Sequence, residues 1–320
     1  MISVVIRILN EAKHLDSLLS SVKSQDTKGV PVETVIVDSG STDGSLEIAK
    51  RHECNIHHIR KEEFSFGRSL NIGCEAAKGD ALVFVSGHCV PYDEHWLRHL
   101  TEPLQQGKAS YSYGRQIGND LNKFSELQIF AKYFPEDRVY AQKGFFCNNA
   151  NAALLKSAWR DHKFDEVLTG LEDMELAKRL FTKGHEIQYV PESVVYHIHE
   201  ETWAQVRRRY EREAIALQHI MPEVHVHFPD FVRYFFSAVA HDLGEARSQG
   251  LSASVFRDVL AFRCMQYWGT YRGNRIHREL SREMKERYFF PKATATGETA
   301  SETTSDGDDK KAKNRGSFAA

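Results

Sequence analysis

Four groups of polar residues in this chain have the types that binding and catalysis use, and each stands where an apolar run stops. Asn10 and Glu11 follow ISVVIRIL (2–9), and Asp38 follows ETVIV (33–37). Ser86, Gly87 and His88 follow ALVFV (81–85), within the stretch FVSGHCVP (84–91). His197 and His199 stand in VVYHIHEETW (194–203), just beyond the strand-like EIQYVP (186–191). A fifth group, Glu172 and Asp173, opens GLEDMELAKRLFTKG (170–184). Carboxylates accept hydrogen bonds or a proton, and imidazoles bind a divalent ion or meet an anion. Each group has a local alternative: a helix start for Asn10–Glu11, an Asx turn for Asp38, a turn histidine for His88, and complementing the helix dipole for the acidic pair. Convergence is what sets a site against these alternatives, because ligands of open α/β sheets collect outside the C-terminal ends of the strands.

The elements that must bring these groups together follow from periodicity. Leu15, Leu18, Leu19 and Val22 recur at helical spacing after the first strand. DSGSTDGS (38–45) reads as a loop leading to a helix, NIHHI (55–59) as a third strand, and GRSLNIGCEAAKGD (67–80) as a helix entered through a glycine. This β-α-β-α-β order implies a mostly parallel sheet with helices on both faces. Pro91 marks the expected stop of the strand carrying His88. ASYSYGRQI (109–117) alternates like an antiparallel or edge strand, and FFCNNANAALLKSAW (145–159) reads as a loop, a strand and a short turn. The 170–184 segment reads as a helix with acidic residues first, basic residues last and Gly184 as its C-cap.

With 320 residues, 41% hydrophobic and 27% charged, the chain has material for one large α/β domain or two medium ones. A net charge of −2 gives no electrostatic case for nucleic acid as a partner. Cys54, Cys74, Cys89, Cys147 and Cys264 form no C-x-x-C pair, which argues against a zinc knuckle or a disulfide framework and for a reducing cytoplasm. MISVVIRILNEAKHL lacks the basic start and cleavage site of a signal peptide. No stretch reaches the roughly 20 apolar residues of a spanning helix, so any membrane contact is expected to be peripheral, at the inner face of the cell membrane.

Taken together, the motifs resemble family 2 glycosyltransferases of the GT-A fold, in particular the rhamnosyltransferase-like enzymes of capsule and O-antigen biosynthesis, over roughly residues 1 to 215. SVVIRILNEAKHL is similar to the family's S-V-V-I-P-x-x-N-E-x-x-x-L, with Arg7 at the usual proline. VIVDSGSTDGS matches V-V-D-x-G-S-T-D-x-S and is the most specific single motif. SLNIG resembles A-R-N-x-G, keeping Asn71 and Gly73 but placing Leu70 where arginine is common. The E-D pair, Glu172–Asp173, and a V-x-H at Val195 to His197 complete the set.

The resemblance implies an inverting transfer of a sugar from a UDP-, dTDP-, GDP- or CMP-sugar to a hydroxyl of a surface glycan or lipid-linked acceptor. It assigns Asp173 as general base beside Glu172. Arg7, Asn10, Glu11, Asp38, Asp43, Asn71 and Ser86 would line the nucleotide, with Asp38 on the base and Glu11 on the ribose. It puts Asn148, Asn149 and Asn151 on the acceptor side, and Arg208 or Arg209 at the diphosphate. Arg207 reads as a solvated helix face. At the family's metal-binding D-x-D, the chain has Ser86 and His88. Two arrangements stay open there: His88 and His197 hold a divalent ion, Mn²⁺ in preference to Mg²⁺, or the ion is lost and His88 meets the phosphates directly. A helix N-terminus ordinarily keeps an aspartate ionised, as a base requires.

The expected division is a GT-A domain over 1–215, a helical C-terminal appendage over 216–290, rich in aromatics and arginine, and a disordered tail over 291–320 without core-forming side chains. Most aromatics of the appendage are expected to pack it onto the core; an interfacial surface for a lipid-linked acceptor is the other reading. Two rival functions share the nucleotide-binding half. One is a sugar nucleotidyltransferase, which has no use for the acidic pair or the V-x-H histidine. The other is a catalytically silent nucleotide-sugar-binding module.

Overall fold

The computed structural model describes residues 1–138, 143–275 and 288–289. β1 (Ile2–Ile8), α1 (Ala12–Lys23), β2 (Val32–Asp38), α2 (Ser45–Arg51), β3 (Asn55–His58), α3 (Phe66–Ala76) and β4 (Ala81–Ser86) alternate as the periodicity implies. β1 pairs in parallel with both β2 and β4, and β2 with β3. β1, β4 and the second half of β2 are buried on both faces and so require cover on both. Ile2, Val4, Ile6 and Ile8 of β1 share one core with Leu15, Leu18, Leu19 and Val22 of α1. Val5, Leu82 and Phe84 point the other way, into a core with Leu70 and Cys74 of α3. α3 lies so close to the sheet that a Cβ on Gly73 would fall 2.4 Å from Val5 Cγ1.

The same sheet continues through β5 (Cys89–Pro91), β6 (Tyr111–Ile117), β7 (Asn151–Leu155) and β8 (Ile187–His197), in the order β3-β2-β1-β4-β7-β6-β8-β5. Between them come α4 (Trp96–Gln105), α5 (Phe124–Tyr133), α6 (Lys156–Asp161) and α7 (Glu172–Thr182). The result is a mixed α/β fold. Several local expectations change. Of the two readings of 109–117 the antiparallel one holds and the edge one does not: β6 lies inside the sheet, antiparallel to β7 and parallel to β8, with Tyr111 and Tyr113 buried. Lys156–Asp161 forms a short helix where a turn is expected. α3 is capped by Ser65, whose side chain accepts from Arg68 N, two residues before the expected glycine entry.

The largest departure concerns the stretch around His88. The apolar strand stops at Ser86, Gly87 and His88 make a turn, and Pro91 ends a separate strand, β5. β5 leaves the centre of the sheet and pairs antiparallel with β8, which places Cys89 opposite His197. A backbone hydrogen bond from Ile198 N to His88 O (3.2 Å) closes the end of that ladder.

The chain ends in α8 (Trp203–Ile220), α9 (Phe228–Ser248) and α10 (Ser254–Asn274). α8 runs unbroken through the expected boundary at 215/216. Gly269 and Gly273 let α10 press onto α8, since a Cβ there would lie 2.4 Å from Arg207 O and 2.2 Å from Glu211 O. The buried Arg263 of α10 grips Asp242 of α9 through two hydrogen bonds of 2.7 and 2.8 Å. Its guanidinium also donates to Ser125 O of α5 at 3.4 Å, tying the C-terminal helices to the sheet domain. The expected tail over 291–320 lies outside the described residues. Among the described residues, no helix is long and apolar enough to cross a membrane.

Candidate active site

The ends of β1 and β2 are stapled to each other by their own polar residues. Asn10 adopts φ +60°, and its Oδ1 accepts from Thr42 N at 2.8 Å while its own amide donates to Ser41 Oγ at 2.9 Å. Glu11 N donates to Ser45 Oγ at 2.8 Å and Ala12 N to Asp43 Oδ2 at 2.9 Å. Asp38 accepts from Gly40 N and Ser41 N, both at 3.0 Å, with His58 Nδ1 at 3.3 Å. Burial pushes the Asp43 carboxyl up, but the Ser45 hydroxyl and the Ala12 and Ser45 amides outweigh it and hold its pKa below the ordinary value. These bonds shape a rigid polar edge outside β1 and β2.

Beside that edge, three imidazoles converge. His88 Nε2 lies 3.2 Å from His197 Nε2, and the ligand atoms of His88, His197 and His199 all fall within 4.8 Å of one another. Each ring is held from behind at Nδ1. Glu11 Oε1 is 3.0 Å from His88, Gln116 Oε1 2.7 Å from His197, and Glu126 Oε1 2.7 Å from His199. Gly87 makes room for the first of these contacts, because a Cβ there would lie 2.8 Å from Glu11 Cγ. Burial opposes the charge on His88, but the Glu11 carboxylate outweighs it and raises the pKa. Burial, and then the neighbouring histidines, hold His197 well below the ordinary value. Burial and then Arg209 lower His199. Glu126 also works against burial, and His199 and Arg209 bring its pKa down to about 2.

The acidic pair opens α7. Leu171, just before it, is left-handed at φ +55°, a conformation that costs a residue with a Cβ on the order of 1–3 kcal/mol. Glu172 Oε1 lies 3.2 Å from Arg7 Nη1, and Arg7 also packs on the Phe66 ring at 4.7 Å. Asp173 Oδ2 accepts from Asn149 N at 2.8 Å and its Oδ1 from Met174 N at 2.7 Å. The expectation of a plainly ionised Asp173 needs adjustment: burial, then the charge of Glu172, push its pKa up to about 7 despite the two amides.

Other residues singled out in the sequence stand in the walls. Asn71 donates from Nδ2 to Phe164 O and Glu166 Oε1, and its Oδ1 accepts from Trp159 Nε1 and Phe164 N. Asn151 is spent in the same way on Trp96 Nε1, Arg115 O and Ser193 O. Asn148 Oδ1 accepts from Gln116 Nε2 and Ala150 N, both at 3.0 Å, and Asn149 Oδ1 from the Tyr111 hydroxyl. Ser86 sits half-buried at the tip of β4. Arg209 is committed to Glu126 (2.6 Å) and Glu201 (2.7 Å), whereas Arg208 makes no ion pair among the described residues. Gln116 and Glu126 escaped the sequence reading, since neither stands in a motif. His199 carried a visible signal, the H-x-H at 197–199, but no role.

A family model described as glycosyl transferase family 2 matches residues 3–162. The chain is 33% identical to the glycosyltransferase AglE of Haloferax volcanii over 141 residues, 40% of this chain and 46% of AglE. It is 27% identical to the O-antigen chain rhamnosyltransferase WbaN of Salmonella anatum over 191 residues, 56% of this chain and 61% of WbaN. The matches thus span less than two thirds of either relative. In structure the chain is similar to the mannosyltransferase PcManGT of Pyrobaculum calidifontis, solved in complex with GDP-Man and Mn²⁺. The TM-score is 0.59 at 15% identity, over 85% of this chain and 86% of that one.

Proposed function

The chain belongs to glycosyl transferase family 2 and has the GT-A fold, and from that premise we propose an inverting transfer of a sugar from a nucleotide-sugar donor to a hydroxyl of a surface glycan or lipid-linked oligosaccharide. The observation that carries this reading is the setting of Asp173, buried at the start of α7 beside Glu172 with both carboxylate oxygens held by backbone amides. A buried carboxyl brought to about 7 and aimed by two backbone amides is matched to accepting a proton near neutral pH. In the transfer, Asp173 takes the proton of the acceptor hydroxyl as that oxygen bonds to the anomeric carbon. The bond from that carbon to the diphosphate breaks, and the nucleoside diphosphate leaves with the electron pair. One displacement from the face opposite the leaving group inverts the anomeric centre. The charge of Glu172 raises the basicity of its neighbour, and Arg7, 3.2 Å from Glu172, offsets part of that rise.

The nucleotide is placed along the edge built by Asn10, Glu11, Asp38, Asp43 and Ser86, with Asp38 facing the base. Glu11 gives one carboxylate oxygen to His88 and keeps the other for the ribose. Asn71 and Arg7 support this reading from the wall rather than by touching the nucleotide. Asn148 and Asn149 border the acceptor side. Arg208 shares a helix face with Arg212, four residues on. Arg212 packs on the same Phe66 ring as Arg7, with its guanidinium carbon 4.6 Å from the centroid, and this favours Arg208 as the residue that meets the diphosphate.

His88 and His197 fit a divalent ion, because their Nε2 atoms face each other at 3.2 Å with Nδ1 of each already bound to an oxygen. When bound, such an ion draws the negative charge that grows on the leaving diphosphate, and imidazole ligation favours Mn²⁺ over Mg²⁺. The exposed aromatics of the C-terminal helices, Phe228, Phe236 and Trp268, are where a lipid-linked acceptor would bring the protein to a membrane surface. The test is turnover with a panel of UDP-, dTDP-, GDP- and CMP-sugars, with the anomeric configuration of the product read by NMR. A retained configuration overturns the mechanism, and binding of a donor without any transfer favours a silent module.

A further inference from the structure

We propose that the ion is held by three histidines, with His199 as the third ligand, and that the site therefore selects Fe²⁺, Co²⁺, Ni²⁺ or Zn²⁺ and discriminates strongly against Mg²⁺. This rests on the reading above that His88 and His197 hold a divalent ion. His197 is the last residue of β8 and His199 stands two residues beyond it, and their ring centroids are 4.1 Å apart. His88 arrives from the turn that enters β5, its ring 5.1 Å from His197 and 5.3 Å from His199.

The hydrogen bonds behind the rings place a proton on each Nδ1. A carboxylate only accepts, so Glu11 and Glu126 place a proton on Nδ1 of His88 and of His199. Glu126 is itself held ionised by Arg209 at 2.6 Å. For His197 the assignment runs through a backbone group. Ala150 N donates to Asn148 Oδ1, which makes that atom the oxygen; Gln116 Nε2 donates to the same oxygen; Gln116 Oε1 therefore faces His197 Nδ1 as an acceptor. With Nδ1 of each ring turned to its outer oxygen, Nε2 is the atom each ring has left to offer an ion, and the ligand atoms of the three histidines lie within 4.8 Å of one another. The Nε2 atoms of His88 and His197 face each other at 3.2 Å, a separation that one shared proton or one metal ion can bridge, and outer partners of this kind are what metal-binding histidines carry.

Three neutral nitrogen ligands have two consequences. They leave the ion's full charge facing the diphosphate, where carboxylate ligands would cancel part of it. They also suit the later first-row ions and not Mg²⁺, which demands oxygen ligands in octahedral geometry.

The test is titration of the full-length protein with Co²⁺, followed by its visible d–d absorption, on wild type and on His199→Asn, His199→Gln and Glu126→Gln, with folding checked by circular dichroism. Wild type is expected to bind Co²⁺ and to resist displacement by excess Mg²⁺. Glu126→Gln should lose about 10–100-fold in affinity, the usual cost of an outer partner, and the His199 variants more, with altered bands. The proposal is overturned if either folded His199 variant binds Co²⁺ with wild-type affinity and spectrum, or if Mg²⁺ displaces Co²⁺ at equal concentration. If wild type binds no Co²⁺ and transfers sugar undiminished in EDTA, the site falls and the transferase reading stands. If it binds Co²⁺ as expected but turns over no nucleotide-sugar, the transferase reading falls and the site stands.

Discussion

The amide of Asn149 donates to Asp173 Oδ2 at 2.8 Å, and the residue before it, Asn148, is tied through Gln116 to His197. One short loop therefore sets the position of the candidate base and the orientation of a candidate metal ligand together. The candidate base and the candidate metal ligand are thereby held at a fixed separation, as the proposed displacement between them requires.

Asp173→Asn removes the proton acceptor and keeps the shape. Its kcat is expected to fall by about 10²–10⁴-fold, the range a general base contributes, with nucleotide-diphosphate affinity nearly unchanged by calorimetry. In wild type, kcat should rise with pH through about 7 and level off above it, because only the ionised carboxylate accepts a proton. A kcat that is flat from acid to alkaline pH removes Asp173 from this role.

The same carboxyl makes a stability prediction with a definite sign. Its folded pKa, about 7, lies above the ordinary aspartate value of 3.8, so between those values the folded state holds more protons than the unfolded one. Its contribution is complete at low pH and is lost as pH rises to about 7. Asp173→Asn escapes that loss. Its melting temperature should exceed wild type at alkaline pH, and the difference should vanish in acid below the ordinary aspartate range.

Chelation tests the ion. Dialysis against EDTA should abolish transfer, and Mn²⁺ should restore it at lower concentration than Mg²⁺, since two or more imidazoles suit Mg²⁺ poorly. Full activity after exhaustive chelation points instead to direct contact between His88 and the phosphates.

Gly87→Ala places a methyl group 2.8 Å from Glu11 Cγ. Glu11 must shift, and with it the bond that aims His88. Overpacking of this kind costs about 1–3 kcal/mol, readable by urea denaturation, and a larger proportional loss is expected in metal-dependent activity. Unchanged stability and activity would show that Glu11 can move freely.

Arg263→Leu leaves Asp242 buried without its partner. Removing one member of a buried ion pair costs roughly 3–5 kcal/mol, and the C-terminal helices are expected to become sensitive to protease while the sheet domain resists. The sites of early cleavage, mapped by mass spectrometry, decide it.

Much of the fold is legible in local patterns. Two-residue alternation and helical spacing are short-range properties, so β1, α1, β2, β4 and the start and end of α7 could be read from a few neighbours each. The polar groups at the strand ends were legible for the same reason: an apolar run that stops at Asn10, Asp38 or Ser86 declares a strand end wherever the strand lies in the sheet. The Asn71 and Asn151 side chains show the limit. Their types and motif positions are those of ligand-binding residues, yet partners 93 and 42 residues away in sequence consume them.

What the sequence by itself determined is the inventory: the strands, the edge at which their ends gather, and the acidic pair and histidines of its motifs. Only the tertiary structure decided how these meet. β5 had to cross to β8 for His88 to reach His197, a pairing of residues 109 apart. Gln116 and Glu126 had to come from β6 and α5 to fix the three imidazoles, and burial beside Glu172 had to raise Asp173. Register across a sheet and the dielectric around a carboxyl depend on which distant segments close over them, and no local pattern carries that information.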